Sequence, residues 1–173
     1  MQEKRAVWWA ELSWPEVDEV LKNTDTVLLP MGSTEQHGRH LPLGVDGYIP
    51  IGIAEKVSAI TGVPILPPIW YSTCSWHQGF TGTIHISSDT LIRQVVEICA
   101  SVQRYGIKHI IGINGHTGGS DPALMVAADK VLEKTGARFW IACVVDVARD
   151  AIIDLCTSPV LGHADEIETA EMM

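Results

Sequence analysis

The chain has 173 residues, 46% of them hydrophobic and 19% charged, and its 12 basic against 21 acidic residues give a net charge of −9. That is one domain's length, enough to bury a core, with the composition of a globular protein. The acidic balance argues against binding a nucleic-acid backbone, and no run reaches the ~20 apolar residues of a membrane span.

The N-terminal MQEKRAVWWAELSW has no apolar core of signal-peptide length before Glu11. SWPEVDEVLKN predicts a short helix with Ser13 as N-cap and Pro15 in its first turn. TVLLPM, residues 26–31, is a buried-strand run, and YIPIGIAEKVSAITG predicts a helix from about Ile51 to Gly62. VPILPPI reads as a short strand ending in prolines. The long loop WYSTCSWHQGFTGT leads into the amphipathic helix SSDTLIRQVVEICASVQRYG, capped by Ser87 or Ser88 and closed by Gly106. KHIIGIN is apolar on both faces, which suits a parallel sheet. GHTGGSDP turns from it into the helix ALMVAADKVLEKTG, ARFWIACVV is another strand, and HADEIETAEMM opens a last helix. Asp165, Glu166 and Glu168 stand near the positive end of that helix's dipole.

Such alternation gives parallel strands joined by right-handed crossovers, with helices on both faces and functional loops beyond the carboxyl ends of the strands. TVLLPM→GSTEQHG and KHIIGIN→GHTGG are both strand ends, so their polar clusters can meet. The four cysteines, Cys74, Cys99, Cys143 and Cys156, form no CxxC pair and read as free thiols in a reducing cytosol.

GSTEQHGRHLPLGVD, residues 32–46, crowds Glu35, His37, His40 and Asp46 into one loop. Glu35 and His37 are two apart and point the same way in an extended segment. His116 leaves the second strand inside NGHTGG, whose glycines let the backbone turn close to a ligand. Imidazole with carboxylate is the donor set of zinc, manganese or iron(II), and a carboxylate such as Asp46 can bridge two ions. Blander readings stand beside this one. NGHTGG also suits a phosphate-cradling turn, the acids of HADEIET suit simple helix capping, and His40, His85 and His109 suit surface or satisfied core positions.

The stretches LPMGSTEQHGRHLPLGVD (29–46), GFTGTI (79–84), INGHTGGS (113–120) and GHADEIETAEMM (162–173) resemble the creatininase (creatinine amidohydrolase) family across nearly the whole chain. The resemblance implies a three-layer α/β/α sandwich with a mainly parallel central sheet and a homohexameric assembly. It also implies two divalent ions per subunit, zinc, manganese or iron, and hydrolysis of cyclic amides or formamides. Some relatives instead open keto-sugar rings or process a peptide. By matching motif, Glu35, His37, Asp46 and His116 become metal ligands, with Asp46 bridging. A family glutamate two residues after the NGH histidine is replaced by Gly118, so Glu166 of HADEIET becomes the substitute ligand. His163 matches the family's proton-shuttling histidine, and Glu168 is assigned to catalysis or to orienting a ligand. His77 lies where relatives contact substrate, though a structural role suits it as well.

Two departures follow. The tryptophans that creatininase places around creatinine have no counterpart, Val145 standing where one belongs. Family members also continue beyond the point where this chain stops, so residues 1–173 are expected to be a single creatininase-like domain lacking the family's C-terminal segment. The expected protein is a cytoplasmic metal-dependent hydrolase of a small polar molecule, with no nucleic-acid or membrane partner. Rival readings are a keto-inositol ring hydrolase, a formylaminopyrimidine nucleotide deformylase using Arg39 or Arg149 for phosphate, and a catalytically silent relative.

Overall fold

A computed structural model describes residues 5–158 and 162–173, with the side chains of Arg149 and Ile153 outside the description. Among the described residues, α-helices and β-strands follow in chain order as α1 (Trp14–Leu21), β1 (Thr26–Met31), α2 (Val45–Thr61), α3 (Ser88–Gln103), β2 (His109–Asn114), α4 (Asp121–Thr135), β3 (Arg138–Cys143), α5 (Val144–Ile153) and α6 (Glu166–Glu171). The sheet has the order β1-β2-β3, all parallel, pairing Met31 with Asn114 and Asn114 with Cys143. Those three residues end their strands side by side, so the segments that follow them leave from one edge of the sheet.

Alternation along β1 separates the layers. Val27, Leu29 and Met31 bury into one cluster with Leu91 and Val95 of α3 and Leu124 and Val131 of α4. Leu28 joins Ala54 of α2, Ile113 and Val144 on the opposite face. Helices therefore cover both faces of a parallel sheet, as the alternation predicts. No described helix is long and apolar enough to cross a membrane.

Local signals hold where capping chemistry decides them. Ser13 and Glu16 form a capping box at α1, the Ser87 hydroxyl accepts from Thr90 N at α3, and Gly62 and Gly136 close α2 and α4 in the left-handed conformation. Three expectations need correction. VPILPPI forms only isolated bridges, at Ile65 and Ile69, because Pro64, Pro67 and Pro68 have no N–H to extend a ladder. β3 stops at Cys143, and Val144–Ile153, of which the last strand was expected to take the first residues, forms α5.

The third correction bears on the site. α2 begins at Val45, not near Ile51, and carries Pro50 inside it. Proline lacks the N–H that would bond the carbonyl four residues back, which is that of Asp46. The bare carbonyl is wedged between two strand-end glycines: a Cβ built on Gly32 or on Gly115 would stand 2.2 Å from Asp46 O. No larger residue fits at either position, and the close approach seats the Asp46 backbone between the ends of β1 and β2.

Candidate metal centre

Three segments deliver the polar side chains. Glu35 and His37 follow β1, Asp46 sits in the first turn of α2, and His116 follows β2; all four are buried, none more than 8% exposed. The turn after β2 is fixed by Asn114, whose Oδ1 accepts from His116 N (3.1 Å) while its Nδ2 donates to Asp121 Oδ1 (2.9 Å). Asp121 Oδ2 in turn accepts from Gly118 N (2.8 Å), where φ is +80°.

Hydrogen bonds assign the imidazole tautomers. His37 Nδ1 lies 3.0 Å from Glu35 O and His116 Nε2 lies 2.9 Å from Thr73 O. Carbonyl oxygens only accept, so those nitrogens carry the protons. In the neutral rings the opposite nitrogens are bare, and both face one carboxylate. His37 Nε2 is 2.9 Å from Asp46 Oδ1, and His116 Nδ1 is 3.0 Å from Asp46 Oδ2. Lone pairs at such distances repel unless a proton or a cation lies between them. Asp46 Oδ2 is also buried, with His116 Nδ1 the group that faces it. Imidazoles tethered to carbonyls through the far nitrogen are the usual setting of metal-binding histidines.

Donor atoms gather in three groups whose members all lie within 4.8 Å of one another: Glu35, Asp46 and His116; His37, Asp46 and Glu168; and Glu35, His37 and His163. Asp46 belongs to the first two, one oxygen toward each side. Such imidazole and carboxylate donors fit a divalent-metal centre.

Without a cation, protons balance the charge. Burial opposes a charged His116, but the carboxylates of Asp46 and Glu35 outweigh it and carry His116 up to about 9. His37 is raised the same way, Asp46 outweighing burial. Burial likewise opposes the Asp46 carboxylate, and its bonds to His116 and His37 hold it below its ordinary value. Burial raises Glu168 to about 7, with the Asp46 anion adding to the effect.

A model of the family described as creatininase, creatinine amidohydrolase, matches residues 10–173. The chain belongs to the creatininase family. It is 30% identical over 181 residues to a 3-dehydro-scyllo-inosose hydrolase of Thermotoga maritima, covering 98% of this chain and 56% of that protein. To a mycofactocin precursor peptide peptidase of Mycolicibacterium smegmatis it is 35% identical over 155 residues, covering 85% and 62%. Two solved creatininase structures, the second of them the manganese form, superpose with TM-scores of 0.87 and 0.85 at 26% identity; each covers 95% of this chain, which covers 70% and 71% of them. The chain spans less than two thirds of the length of these two curated relatives.

In this creatininase-family chain the two glutamates of HADEIET part company. Glu166 does not join the cluster: its carboxylate accepts from Thr157 N (3.0 Å) and Ser158 N (2.7 Å), bonds that lower its pKa. Glu168 instead points inward, Oε2 lying 3.8 Å from His37 Nε2 and accepting from Ala164 N. Residues two apart on a helix diverge by about 200°, so α6 can present only one of them. Ala164 makes the preceding turn in the left-handed region (φ 53°), between His163 and the N-cap Asp165. Glu168→Gln is expected to weaken binding of one ion at least tenfold, whereas Glu166→Gln keeps both; metal analysis after chelator competition distinguishes them.

His163 reaches the cluster from across the cavity. Its Nε2 bonds Gln36 O, leaving Nδ1 bare and 3.7 Å from Glu35 Oε1. Burial, with the neighbouring His37, lowers its pKa and keeps it neutral. The donors open on a cavity of about 530 Å³ that Cys74, Trp76, His77 and His85 also line, within the usual range for small-molecule sites. Val145 lines a smaller adjoining cavity of about 170 Å³, and the indole on the main one is that of Trp76, 89% exposed.

Two other histidines take structural partners. His85 Nδ1 accepts from Cys74 N, and His40 Nε2 meets Thr169 Oγ1. Arg39 is exposed and does not line either cavity; the side chain of Arg149 lies outside the described residues. The contribution least visible in the sequence comes from main-chain carbonyls, those of Thr73 and Glu35, which orient the imidazoles of His116 and His37.

Proposed function

We propose that this chain carries a metal-dependent hydrolase site for the carbonyl of a cyclic amide, formamide or related small polar substrate. The observation that supports it most is Asp46, one buried carboxylate facing the bare nitrogens of two tethered imidazoles. Divalent ions held there would supply Lewis acidity and bring the pKa of a water toward neutrality. Glu35 and His116 complete one side of the shared carboxylate, and His37 and Glu168 the other. Zinc, manganese and iron(II) suit such donors, and the likeness to a manganese form of creatininase supports the same class.

In this reading His163 takes a proton from the attacking water and returns it to the departing group, a role supported by its neutral ring and by Nδ1 turned toward the donors. Its Nε2–H bond to Gln36 O keeps the ring from turning away during that exchange.

Ring opening of a keto-inositol is the second reading, favoured by the inosose hydrolase match, which covers 98% of this chain. The nucleotide deformylase reading gains no support from Arg39, which stands outside the cavity. We include a homo-oligomer in the proposal on family grounds, and a reducing compartment on the four free cysteines.

A substrate panel of creatinine, an N-formyl amine, a keto-inositol and a short peptide, each assayed before and after EDTA, tests these readings. Hydrolysis of one member that EDTA abolishes and manganese restores is the expected result. Metal bound at two ions per chain without turnover of any member would favour the silent relative.

A further inference from the structure

Glu35 is held at only one of its oxygens by a formed hydrogen bond, from Ser33 Oγ to Oε2 at 3.0 Å. The other oxygen, Oε1, faces three imidazole nitrogens: His77 Nδ1 at 3.1 Å, His116 Nδ1 at 3.5 Å and His163 Nδ1 at 3.7 Å. His116 and His163 have their opposite nitrogens committed to carbonyl oxygens. His77 Nδ1 is different, being buried with no hydrogen-bond partner at all. A buried N–H without an acceptor is costly, and Glu35 Oε1 stands within bonding distance, needing only a small reorientation of the ring. One face of His77 is occupied too: its ring lies 4.3 Å from that of His163, tilted by 33°, and His163 lies 4.3 Å from His37. Three imidazoles thus pack in series, tilted to one another, with His163 in the middle.

The segment bearing His77 is itself tied to both ligand loops. Thr34 bridges Ile84, Thr73 Oγ1 donates to Gly119 O (2.6 Å), and the Thr73 carbonyl fixes His116. This segment therefore reaches the metal donors at two points, through a carbonyl and through His77.

We infer that His77 is a positioning residue that donates from Nδ1 to Glu35 Oε1, locking that carboxylate toward its ion, and braces the His163 ring by stacking. The inference rests on the metal reading above. Loss of a hydrogen-bond donor that orients a ligand carboxylate costs about 10- to 100-fold in metal affinity, and the two contributions of His77 separate by substitution. Asparagine keeps an N–H near the Nδ1 position and loses the ring; phenylalanine keeps the ring and loses the donor; glutamine places its amide nitrogen near Nε2, out of reach of Oε1.

The test is chelator competition with manganese on full-length wild type, His77→Asn, His77→Phe and His77→Gln, with thermal unfolding to establish that each variant folds. His77→Phe and His77→Gln are expected to bind the weaker-held of the two ions at least tenfold less tightly. His77→Asn is expected to stay within about threefold of wild type while losing kcat through the unbraced His163. Should the phenylalanine variant fail to fold, the glutamine and asparagine pair decides. Equal affinity in all four proteins would overturn the inference, and so would equal losses in asparagine and glutamine, which would make His77 mere packing. Wild type that binds no manganese would instead overturn the metal reading, and this inference with it.

Discussion

Asp46→Asn is expected to strip the site of both ions and to lower any hydrolytic turnover by about 10³-fold or more. The carboxamide is nearly isosteric, so the seat between Gly32 and Gly115 is undisturbed. Its chemistry differs in the two respects that matter. One of its two ends becomes an N–H₂ donor, which cannot accept a cation, and the negative charge between His37 and His116 disappears. Metal assistance is worth several kcal/mol of transition-state stabilisation, and each 1.36 kcal/mol is a factor of ten in rate. On the proposed reading Glu168 serves one side of the cluster and Asp46 both, so the loss at Asp46 exceeds that at Glu168. Metal analysis gives the stoichiometry directly. A variant that retained two ions per chain would show that Asp46 is no ligand.

The metal-free protein is expected to lose stability as pH rises from about 6.5 to about 9, roughly 2–3 kcal/mol over the window. His116, carried up to about 9, holds a proton in the folded chain that the unfolded chain has released above its ordinary 6.5. A raised folded pKa contributes stability that is complete below the unfolded value and is lost as pH climbs through the folded one. His37 is shifted in the same direction, and Glu168, raised to about 7, adds to the slope at the lower end. His163 is lowered and opposes this trend only below 6.5, and Asp46 acts only in acid. Manganese is expected to reverse the sign, because on the proposed reading it would bind the imidazoles without their protons and so more tightly as pH rises. An ion at 100 times its Kd adds about 2.7 kcal/mol. Calorimetric unfolding of EDTA-treated and manganese-loaded protein at several pH values should give slopes of opposite sign. A flat profile for the stripped protein would show that the imidazoles and Asp46 are not coupled as the structure places them.

Much of this was legible in the chain. Residues 26–31 and 109–114 become parallel strands because their β-branched and leucine side chains bury on both faces, and capping serines fix α1 and α3 wherever tertiary contacts fall. The crowding of Glu35, His37 and Asp46 after a strand was readable for the same reason: parallel strands end at one edge. The start of α2 was not. GVDGYIP carries two glycines and a proline, all local signals against helix, and the chain is helical there because packing against the ends of β1 and β2 outweighs them.

Sequence alone determined which side chains are available: carboxylates and imidazoles in motifs tied to strand ends, in a chain too acidic to suggest a polyanionic partner. Only the tertiary structure decided which of them converge. α6 can face the cluster with Glu168 or with Glu166 but not with both, and that rotation is set by how Ile167 buries and what Asp165 caps. Composition carries no information about helix phase, nor about which carbonyl will hold an imidazole by its far nitrogen. Both depend on contacts between segments far apart in the chain, where Thr73 meets His116 and His77 meets Glu35.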